Sequence, residues 1–321
     1  MILTITINPL LERRYYYQSL DLSSVNRNGK LIIKAGGKGI NINRQLNRLG
    51  IKNSAMFFSG GNNGKLLKES LRSEKIIHTD VPAKNETRDA AIIINQSSLK
   101  VYSFFGENTL ITPKEAQDFM LKLEKAIQTC DVVVFSGSSP CKEADKIIAE
   151  GIKIAHNLDK ISVCDTYGSH LKDCFNSAPT IIHNNKDEIQ NSLGIKLESE
   201  SDYMNFLNSL YEKGIKQAYI TNSAYTFYAS NFDFHYKIIP PEVKAVDSTG
   251  SGDAFVAGIV YGWHNKFTFH QQLRFAAALG ALNAKSTEVC EIDLADAVLL
   301  EEKIQIEEIG KKLKQIDDSP H

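Results

Sequence analysis

The chain has 321 residues, of which 42% are hydrophobic and 23% charged, and its formal net charge is −1. This balance is typical of a globular protein with one large or two smaller domains, and it gives no reason to expect a nucleic acid or an anionic membrane as partner. No apolar stretch approaches the roughly 20 residues that span a bilayer, and the five scattered cysteines form no C-x-x-C pair. We therefore expect reduced thiols and a cytoplasmic protein.

The first predicted strand covers residues 2–7, where apolar residues alternate with threonine before Asn8-Pro9. Four further short strands, rich in tyrosine and isoleucine, are predicted at 13–20, 30–34, 90–95 and 100–105. The last two are expected to form a hairpin. Because these short strands do not alternate with helices, we expect them to leave the main sheet and to form a small separate sheet.

The rest of the chain alternates strands with helices, which predicts an α/β fold built on a doubly wound, mainly parallel sheet. Strands are predicted at 53–59, 131–135, 161–164, 180–183 and 217–221. Helices are predicted at 40–49, 65–73, 113–129, 143–158, 186–193 and 200–214. Apolar residues at helical spacing predict an amphipathic surface helix over 295–315, and 317–321 are expected to be disordered.

Residues 247–258, D-S-T-G-S-G-D-A-F-V-A-G, join a glycine turn to a small, apolar run that predicts a buried helix. A turn of Gly250, Ser251 and Gly252 would leave backbone N–H groups unpaired at the helix start, where the helix dipole attracts negative charge. Asp253 could do no more than complement that dipole. Beside an anion-binding turn it is also placed to take a proton from a hydroxyl that attacks a phosphoryl group, and this combination predicts a kinase.

This stretch resembles the second signature of the ribokinase-like sugar kinases, in the phosphofructokinase B branch, which reads roughly D-T-x-G-A-G-D-x-F-x-A-G. The run A-G-G-K-G-I-N-I-N-R at 35–44 is similar to the first signature of the same branch. Shorter echoes follow in the family's order over about the whole chain: Asn8-Pro9, Thr87-Arg88, Ser136-Gly137-Ser138, Asp165-Thr166-Tyr167-Gly168, Asn185-Lys186-Asp187-Glu188 and Leu282-Asn283-Ala284.

The resemblance implies an α/β core of residues 1–10, 36–87 and 107–321 and a β-lid of residues 11–35 and 88–106. It also implies a homodimer formed through the lids. The implied reaction is ATP- and Mg²⁺-dependent phosphorylation of a hexose phosphate to a bisphosphate, as in 1-phosphofructokinases and tagatose-6-phosphate kinases. Fructose 1-phosphate is the first expected substrate, tagatose 6-phosphate the second and fructose 6-phosphate the third.

By the same resemblance, Asp253 is the catalytic base, and the turn at 250–252 holds the transferred phosphoryl group. The residues implied to contact the acceptor sugar are Glu12, Gly36, Gly37, Lys38, Asn41, Arg88 and Ser138. Lys38 and Arg88 suit a phosphate already on the sugar. Alternatively, the glycines at 36–37 form only a tight turn, and Arg88 is a solvated arginine at a strand end.

The implied nucleotide-binding residues are Asn185, Thr221, Ser223, Thr226, Gly252 and Asn283. Asn185 and Glu188, three apart on a helix, are implied to support Mg²⁺ through water, whereas the simpler interpretation is helix capping. The family usually has S-x-G-x-x-G at 221–226, yet both glycines are absent. Serine and threonine do not readily adopt a positive φ, which weakens the nucleotide prediction there.

Two other functions remain open on the sequence. A kinase for an unphosphorylated sugar or a nucleoside would share the fold, although Lys38 and Arg88 argue against it. A non-catalytic sugar-phosphate-binding protein would account for the lost glycines and for Glu12, which stands where the family has the aspartate of N-P-x-x-D. The preserved Asp253 and its glycine turn argue against that alternative.

Overall fold

A computed structural model describes residues 1–311 of the chain. Its strands are β1 Ile2–Thr6, β2 Leu10–Tyr17, β3 Lys30–Gly36, β4 Asn53–Ser59, β5 His78–Pro82, β6 Asp89–Asn95, β7 Lys100–Phe105, β8 Val132–Ser136, β9 Ile161–Asp165, β10 Ile181–Asn185, β11 Gln217–Thr221, β12 Phe227–Asn231, β13 Phe234–Ile239 and β14 Gln305–Ile309. Its α-helices are α1 Lys38–Arg48, α2 Gly61–Ser73, α3 Pro113–Gln128, α4 Lys146–Asn157, α5 Leu171–Asn176, α6 Lys186–Leu193, α7 Glu200–Glu212, α8 Ser251–His264, α9 Phe269–Asn283 and α10 Leu294–Glu301.

The large sheet has ten strands in the order β14-β13-β12-β11-β10-β9-β8-β1-β4-β5. Strands β1, β4, β5 and β8 to β11 pair in parallel, while β12 to β14 extend one edge as antiparallel strands. The predicted doubly wound, mainly parallel sheet is thus confirmed. From β1 the chain builds outward through β4 and β5 on one side, and later through β8 to β11 on the other. The crevice at the carboxyl ends of β1 and β8 is therefore the topological switch point, where α/β proteins bind ligands.

Helices cover both faces of this sheet, which explains why its central strands are almost completely buried. The strand β8, V-V-V-F-S, is buried along its whole length. One apolar cluster contains Phe119 of α3 and Ile152 of α4, and a second contains Ile42 of α1, Phe255 of α8 and Leu279 of α9. The glycine turn before α8 is consequently held against the sheet by a buried helix.

The small sheet has the order β3-β2-β6-β7, which confirms the predicted separate sheet. The β2–β3 and β6–β7 pairs are antiparallel, as expected for the predicted hairpin, and β2 pairs with β6 in parallel. Side chains alternate across β2, so Leu10, Glu12, Arg14 and Tyr16 share one face of this sheet. We call the small sheet the lid, because residues of that face line the cleft described below.

The structure differs from the sequence predictions near the C-terminal end and in three additional strands. The predicted helix over 295–315 is wrong, because α10 ends at Glu301 and the chain then enters β14, which pairs with β13. The isoleucines Ile304 and Ile306 alternate with polar residues, and the exposed edge of β13 supplies the backbone partners that favour a strand. The residues 312–321, including the end predicted to be disordered, lie outside the described part. Strands β5, β12 and β13 were not predicted.

Among residues 1–311, none of the helices combines the length and apolar character that crossing a bilayer requires.

Candidate active site

A cleft of about 640 Å³ lies at the carboxyl ends of the parallel strands, with the lid on one side. Most of the predicted site residues line it, although they come from distant parts of the chain: Glu12, Gly37, Lys38, Asn41, Arg88, Ser138, Asn185, Glu188, Thr221, Ser223, Gly250, Ser251, Gly252 and Asp253. Gly36, Thr226 and Asn283 do not line the cleft.

Residues 248–253, which we call the anion loop, form the floor of the cleft at the start of α8. Gly250 is the N-cap residue with φ 80°, and a Cβ added there would lie 2.2 Å from Cγ1 of Val289. Only glycine therefore fits this position without strain. The buried contact with Val289 also fixes the loop against the core.

The N–H groups of the anion loop differ from the prediction in one respect. The Ser251 N–H donates to the Ser248 carbonyl oxygen at 3.1 Å, so it is not free. In the described structure the N–H groups of Gly250, Gly252 and Asp253 have no hydrogen-bond acceptor. Three donors at a helix N-terminus, where the dipole is positive, still form a site for an anion.

Asp253 lies in the first turn of α8 and is almost completely buried, with 4% of its surface exposed. Its Oδ2 accepts a hydrogen bond from Nδ2 of Asn41 at 2.8 Å. Burial raises the pKa of Asp253 to about 7, because the opposing effects of the Lys38 ammonium and the Asn41 amide are smaller. A carboxyl group with this pKa can exchange a proton near neutral pH.

Lys38 lies beside Asp253 at the start of α1, but its charge is already balanced. Its Nζ lies 3.1 Å from Oδ1 of Asp165 and 2.9 Å from Oε1 of Glu188. Although burial disfavours the ammonium, these carboxylates raise the pKa of Lys38, so it is charged. The predicted contact of Lys38 with a substrate phosphate therefore competes with two protein carboxylates.

Ser136 and Asp165, which belong to two of the family-like motifs, are buried close to Lys38, and the sequence assigns neither of them a role. Asp165, at the end of β9, accepts from Oγ of Ser136 at 2.7 Å and from Nδ1 of His183 at 3.0 Å. Burial alone would raise the pKa of Asp165, but Lys38, His183 and Ser136 together hold it below the ordinary value. Since an ionised carboxylate only accepts, His183 donates through Nδ1, and its Nε2 lies 3.2 Å from the Thr221 hydroxyl oxygen.

Arg88 also lines the cleft, at the position directly before strand β6 of the lid. Its guanidinium donates to Oδ1 of Asn108 at 3.1 Å and to the backbone oxygen of Asn8 at 3.0 Å. Among the described residues no carboxylate lies within salt-bridge distance of it. Burial lowers the pKa of Arg88, as expected for a cation without a compensating anion.

Asn8 connects Arg88 to the predicted residue Ser138. Its Nδ2 donates to Oγ of Ser138 and to Oδ1 of Asn108, each at 3.0 Å. Its own Oδ1 is buried and has no partner in the described structure. Asn8 itself lines the cleft, so it is a site residue that the sequence prediction missed.

The predicted nucleotide residues are only partly brought together. Thr221 and Ser223 line the cleft, and Ser223 adopts φ 50° although it replaces a glycine. The left-handed turn is therefore retained at 223, contrary to our expectation. Thr226 has no positive φ and does not reach the cleft.

Asn283 also departs from its predicted role. It is 1% exposed, donates through Nδ2 to the Thr249 carbonyl oxygen at 2.7 Å, and accepts from the Cys290 N–H at 2.8 Å. Since both the nitrogen and the oxygen of its amide are bonded to the backbone, Asn283 stabilises the anion loop from the side that faces away from the cleft. A direct contact with nucleotide does not fit this geometry.

Asn185 and Glu188 form a capping box at the start of α6, as the simpler interpretation proposed. Oδ1 of Asn185 accepts from the Glu188 N–H at 2.8 Å, and Oε2 of Glu188 accepts from the Asn185 N–H at 3.0 Å. Within residues 1–311 no group of three His, Cys, Asp or Glu side chains could hold a metal alone. Glu188 and Asp187 still line the cleft, which fits a hydrated Mg²⁺ carried on nucleotide phosphates.

A doubly wound sheet with a small lid, and a cleft between them that joins a buried carboxylate to a glycine-rich helix start, are the features of a ribokinase-like carbohydrate kinase. The sequence model of the family described as "pfkB family carbohydrate kinase" matches residues 10–295. The chain therefore belongs to the pfkB family of carbohydrate kinases.

Individual relatives agree with this family. Tagatose-6-phosphate kinase from Staphylococcus epidermidis is 29% identical over 296 residues, which cover 91% of this chain and 95% of that protein. The crystal structure of a possible 1-phosphofructokinase from Thermotoga maritima has a TM-score of 0.88 at 23% identity and covers 96% of this chain and 99% of that one. Phosphofructokinase-2 from Escherichia coli, in complex with fructose-6-phosphate, has a TM-score of 0.82 at 20% identity, covering 94% and 98%. The two structures share the fold.

Proposed function

We propose that this carbohydrate kinase transfers the γ-phosphoryl group of ATP to a free hydroxyl of a hexose phosphate and forms a hexose bisphosphate. The observation that carries this proposal is the placement of two groups in one cleft. Asp253 lies beside the free N–H groups of the anion loop, and Arg88 supplies a cation that no carboxylate of the described residues neutralises.

Arg88 is the group that favours a phosphorylated sugar over a free one. All its hydrogen-bond acceptors are neutral oxygens, from Asn108 and from the backbone of Asn8 and Pro9. A partly buried guanidinium without a counterion gains most from a ligand that brings negative charge, and its planar donors match phosphate oxygens. An unphosphorylated sugar would leave this charge uncompensated.

In the proposed reaction, Asp253 accepts the proton of the attacking sugar hydroxyl while the oxygen of that hydroxyl forms a bond to the γ-phosphorus of ATP. The bond to the bridging oxygen breaks, and ADP leaves. The N–H groups of Gly250, Gly252 and Asp253 would hold the transferred phosphoryl oxygens, and Asn41 keeps the carboxylate oriented. Mg²⁺, when bound with ATP near Asp187 and Glu188, would neutralise phosphate charge.

Fructose 1-phosphate and tagatose 6-phosphate are the two acceptors we propose. The sequence motifs resemble those of kinases for both sugars, and fructose 1-phosphate is our first expectation from the sequence. The relative that is 29% identical is named a tagatose-6-phosphate kinase, and this similarity favours the second. In both sugars a phosphate at one end of the molecule leaves a primary hydroxyl free at the other, which suits a cleft lined by both Arg88 and Asp253.

An ADP-release assay with purified protein and Mg·ATP tests the proposal. Fructose 1-phosphate, tagatose 6-phosphate and fructose 6-phosphate are supplied in turn, with fructose, ribose and adenosine as unphosphorylated controls. We expect one ADP per bisphosphate formed with at least one hexose phosphate, and little with the controls. If hexose phosphates bind without any ADP release, the non-catalytic alternative is correct. If ribose or adenosine is preferred, the assignment of Arg88 to a phosphate fails.

We further propose that two lids associate to form a homodimer. Leu31 on β3 and Phe104 on β7 lie on the lid face opposite Arg14 and are 45% and 60% exposed. A four-stranded sheet that leaves such side chains in water gains stability by covering them. Light scattering should give twice the chain mass for the wild type, and the Leu31→Glu variant should be a monomer. A monomeric wild type would contradict this proposal.

A further inference from the structure

Arg14 is a buried charged residue of the lid that the proposed reaction does not use. Its side chain is 3% exposed, although it belongs to a sheet that projects from the core. It follows Glu12 by two positions on β2, so both side chains lie on the lid face that lines the cleft.

The guanidinium of Arg14 is bonded through all three of its nitrogens. NH1 donates to Oε2 of Glu12 at 2.9 Å, NH2 donates to the carbonyl oxygen of Thr287 at 2.6 Å, and Nε donates to the hydroxyl of Tyr16 at 3.2 Å. Tyr16 in turn donates to Oε1 of Glu288 at 2.8 Å. Arg14 therefore joins the lid to the 287–288 segment of the core, and it is not free to bind a ligand anion as Arg88 is.

The Glu12 carboxylate is held on one side and open on the other. Oε2 is taken by Arg14, whereas Oε1 has no hydrogen-bond donor among the described residues. A Cβ on Gly36 would lie 2.6 Å from Oε1, so the side chain packs directly over that bare backbone. Glu12 lines the cleft with a side chain that is only 12% exposed, and Arg14 holds one of its two carboxylate oxygens.

We propose that Arg14 is a positioning residue for the acceptor sugar, acting through Glu12. Arg14 fixes the Glu12 carboxylate relative to the core, so that Oε1 accepts a sugar hydroxyl at a set distance from Asp253. The pair replaces a single shorter aspartate at position 12, since the longer glutamate reaches Arg14 and is anchored by it. This inference rests on the proposed function, because it assigns a role in binding the same sugar.

The test is a double-mutant cycle with Glu12→Gln, Arg14→Gln and the two combined, assayed with the hexose phosphate that the wild type uses best. We expect Arg14→Gln to lower kcat/KM for the sugar phosphate by about 10- to 100-fold, the effect of misplacing a substrate by roughly an ångström, with KM for ATP unchanged. In the Glu12→Gln background Arg14→Gln should cost less than about threefold, because the charged bond between residues 12 and 14 is already lost. Additive losses would overturn the proposal.

Lys34→Gln is the matched control, since Lys34 also joins the lid to the same core segment. Its Nζ lies 3.1 Å from Oε2 of Glu288 and 2.5 Å from Oε1 of Glu291, and it does not line the cleft. We expect near wild-type kinetics. A loss equal to that of Arg14→Gln would show that lid attachment, rather than Glu12 placement, is what matters, and would refute the proposal.

Two conservative variants cover the case in which Arg14→Gln does not fold. Arg14→Lys should recover part of the lost kcat/KM, and Glu12→Asp should weaken sugar-phosphate binding at least tenfold in calorimetry, because aspartate cannot reach Arg14. Wild-type affinity in Glu12→Asp would contradict the proposal. If the wild type itself binds a hexose phosphate but releases no ADP, the proposed function fails, while the calorimetric comparison still tests Arg14.

Discussion

Asn41 donates through Nδ2 to Oδ2 of Asp253 at 2.8 Å, a hydrogen bond between residues that are 212 positions apart. It joins the glycine-rich start of α1 to the anion loop at the start of α8. The bond favours the ionised form of Asp253 and thus partly opposes the burial that raises its pKa. Residues of the two sequence signatures are therefore hydrogen-bonded to each other in the same site.

The Asn41–Asp253 bond predicts a measurable effect on the pH profile. For the wild type, kcat/KM should rise with pH through about 7, since protonated Asp253 cannot accept the hydroxyl proton. Asn41→Leu removes a donor that lowers the pKa of Asp253, so the acidic limb should move to higher pH. Steady-state rates between pH 5.5 and 9 measure the acidic limb in both proteins. If the acidic limb of Asn41→Leu lies at the same pH as in the wild type, the pH dependence does not arise from Asp253.

Replacing the Asp253 carboxylate should strongly reduce turnover and stabilise the protein. We expect Asp253→Asn to reduce kcat by at least about 10²-fold, the lower range for loss of a general base. In the wild type the folded-state pKa of about 7 exceeds the ordinary value near 4, so its stability contribution falls as pH rises through that interval. Asparagine does not titrate.

Thermal unfolding of Asp253→Asn and wild type at pH 5 and pH 8 therefore checks the burial of an ionisable group. The gain in Tm should be larger at pH 8 than at pH 5. A smaller gain at pH 8, or wild-type turnover, would show that this carboxyl is not the buried base.

The phosphate role of Arg88 can be separated from general effects on the lid. Arg88→Ala should raise KM for the hexose phosphate about 10- to 100-fold and leave KM for ATP unchanged, because it removes charged hydrogen bonds to one substrate only. Arg13→Ala is the control. Arg13 pairs with Asp89 at 2.9 Å on the other face of β2 and should give wild-type values. Equal KM values for Arg88→Ala and wild type would refute the phosphate contact.

Gly250 should be intolerant of a side chain. Gly250→Ala combines an unfavourable positive φ with a contact 2.2 Å from Val289, so the anion loop must move, and we expect kcat to fall at least tenfold. Gly194→Ala, at φ 72° with open space around it, should cost only about 1 kcal/mol of stability and no activity. Activity assays and denaturant unfolding distinguish the two. Similar kinetics for both variants would mean that the loop geometry is unimportant.

Ser223 adopts a positive φ of 50°, a left-handed conformation that is less favourable for serine than for glycine. Ser223→Gly should stabilise the protein by about 0.5–1 kcal/mol, because glycine adopts φ 50° without a steric penalty. Ser223→Ala keeps the strain and should show no such gain. Urea unfolding of the three proteins checks this, and a destabilised Ser223→Gly would contradict the positive φ.

The sequence pattern predicts much of the fold because regular alternation of strands and helices leaves few topologies. It failed at 295–315, where apolar spacing suggested one long helix. There the free edge of β13 recruits residues 305–309 as a strand, and no local pattern reveals that edge. Strands β12 and β13 were not predicted for a similar reason. They follow β11 without an intervening helix, whereas the prediction relied on strands that alternate with helices.

In the site, motif residues were predictable but their partners were not. The sequence predicts that Lys38 is free to bind a substrate phosphate. In the structure its charge is balanced by Asp165 and Glu188, which are more than 120 positions away in the chain. Ser251 uses its N–H within the loop, which depends on turn geometry rather than residue type. Arg14 could have been found from its spacing, since Glu12, Arg14 and Tyr16 alternate along β2 and therefore share a face.

A crystal structure with a non-hydrolysable ATP analogue and the preferred hexose phosphate would show where phosphoryl transfer takes place. We expect the terminal phosphate within roughly 3 Å of the N–H groups of Gly250 and Gly252, and the free sugar hydroxyl within hydrogen-bond distance of Asp253. A terminal phosphate bound elsewhere in the cleft, with the sugar hydroxyl out of reach of Asp253, would contradict the proposed reaction.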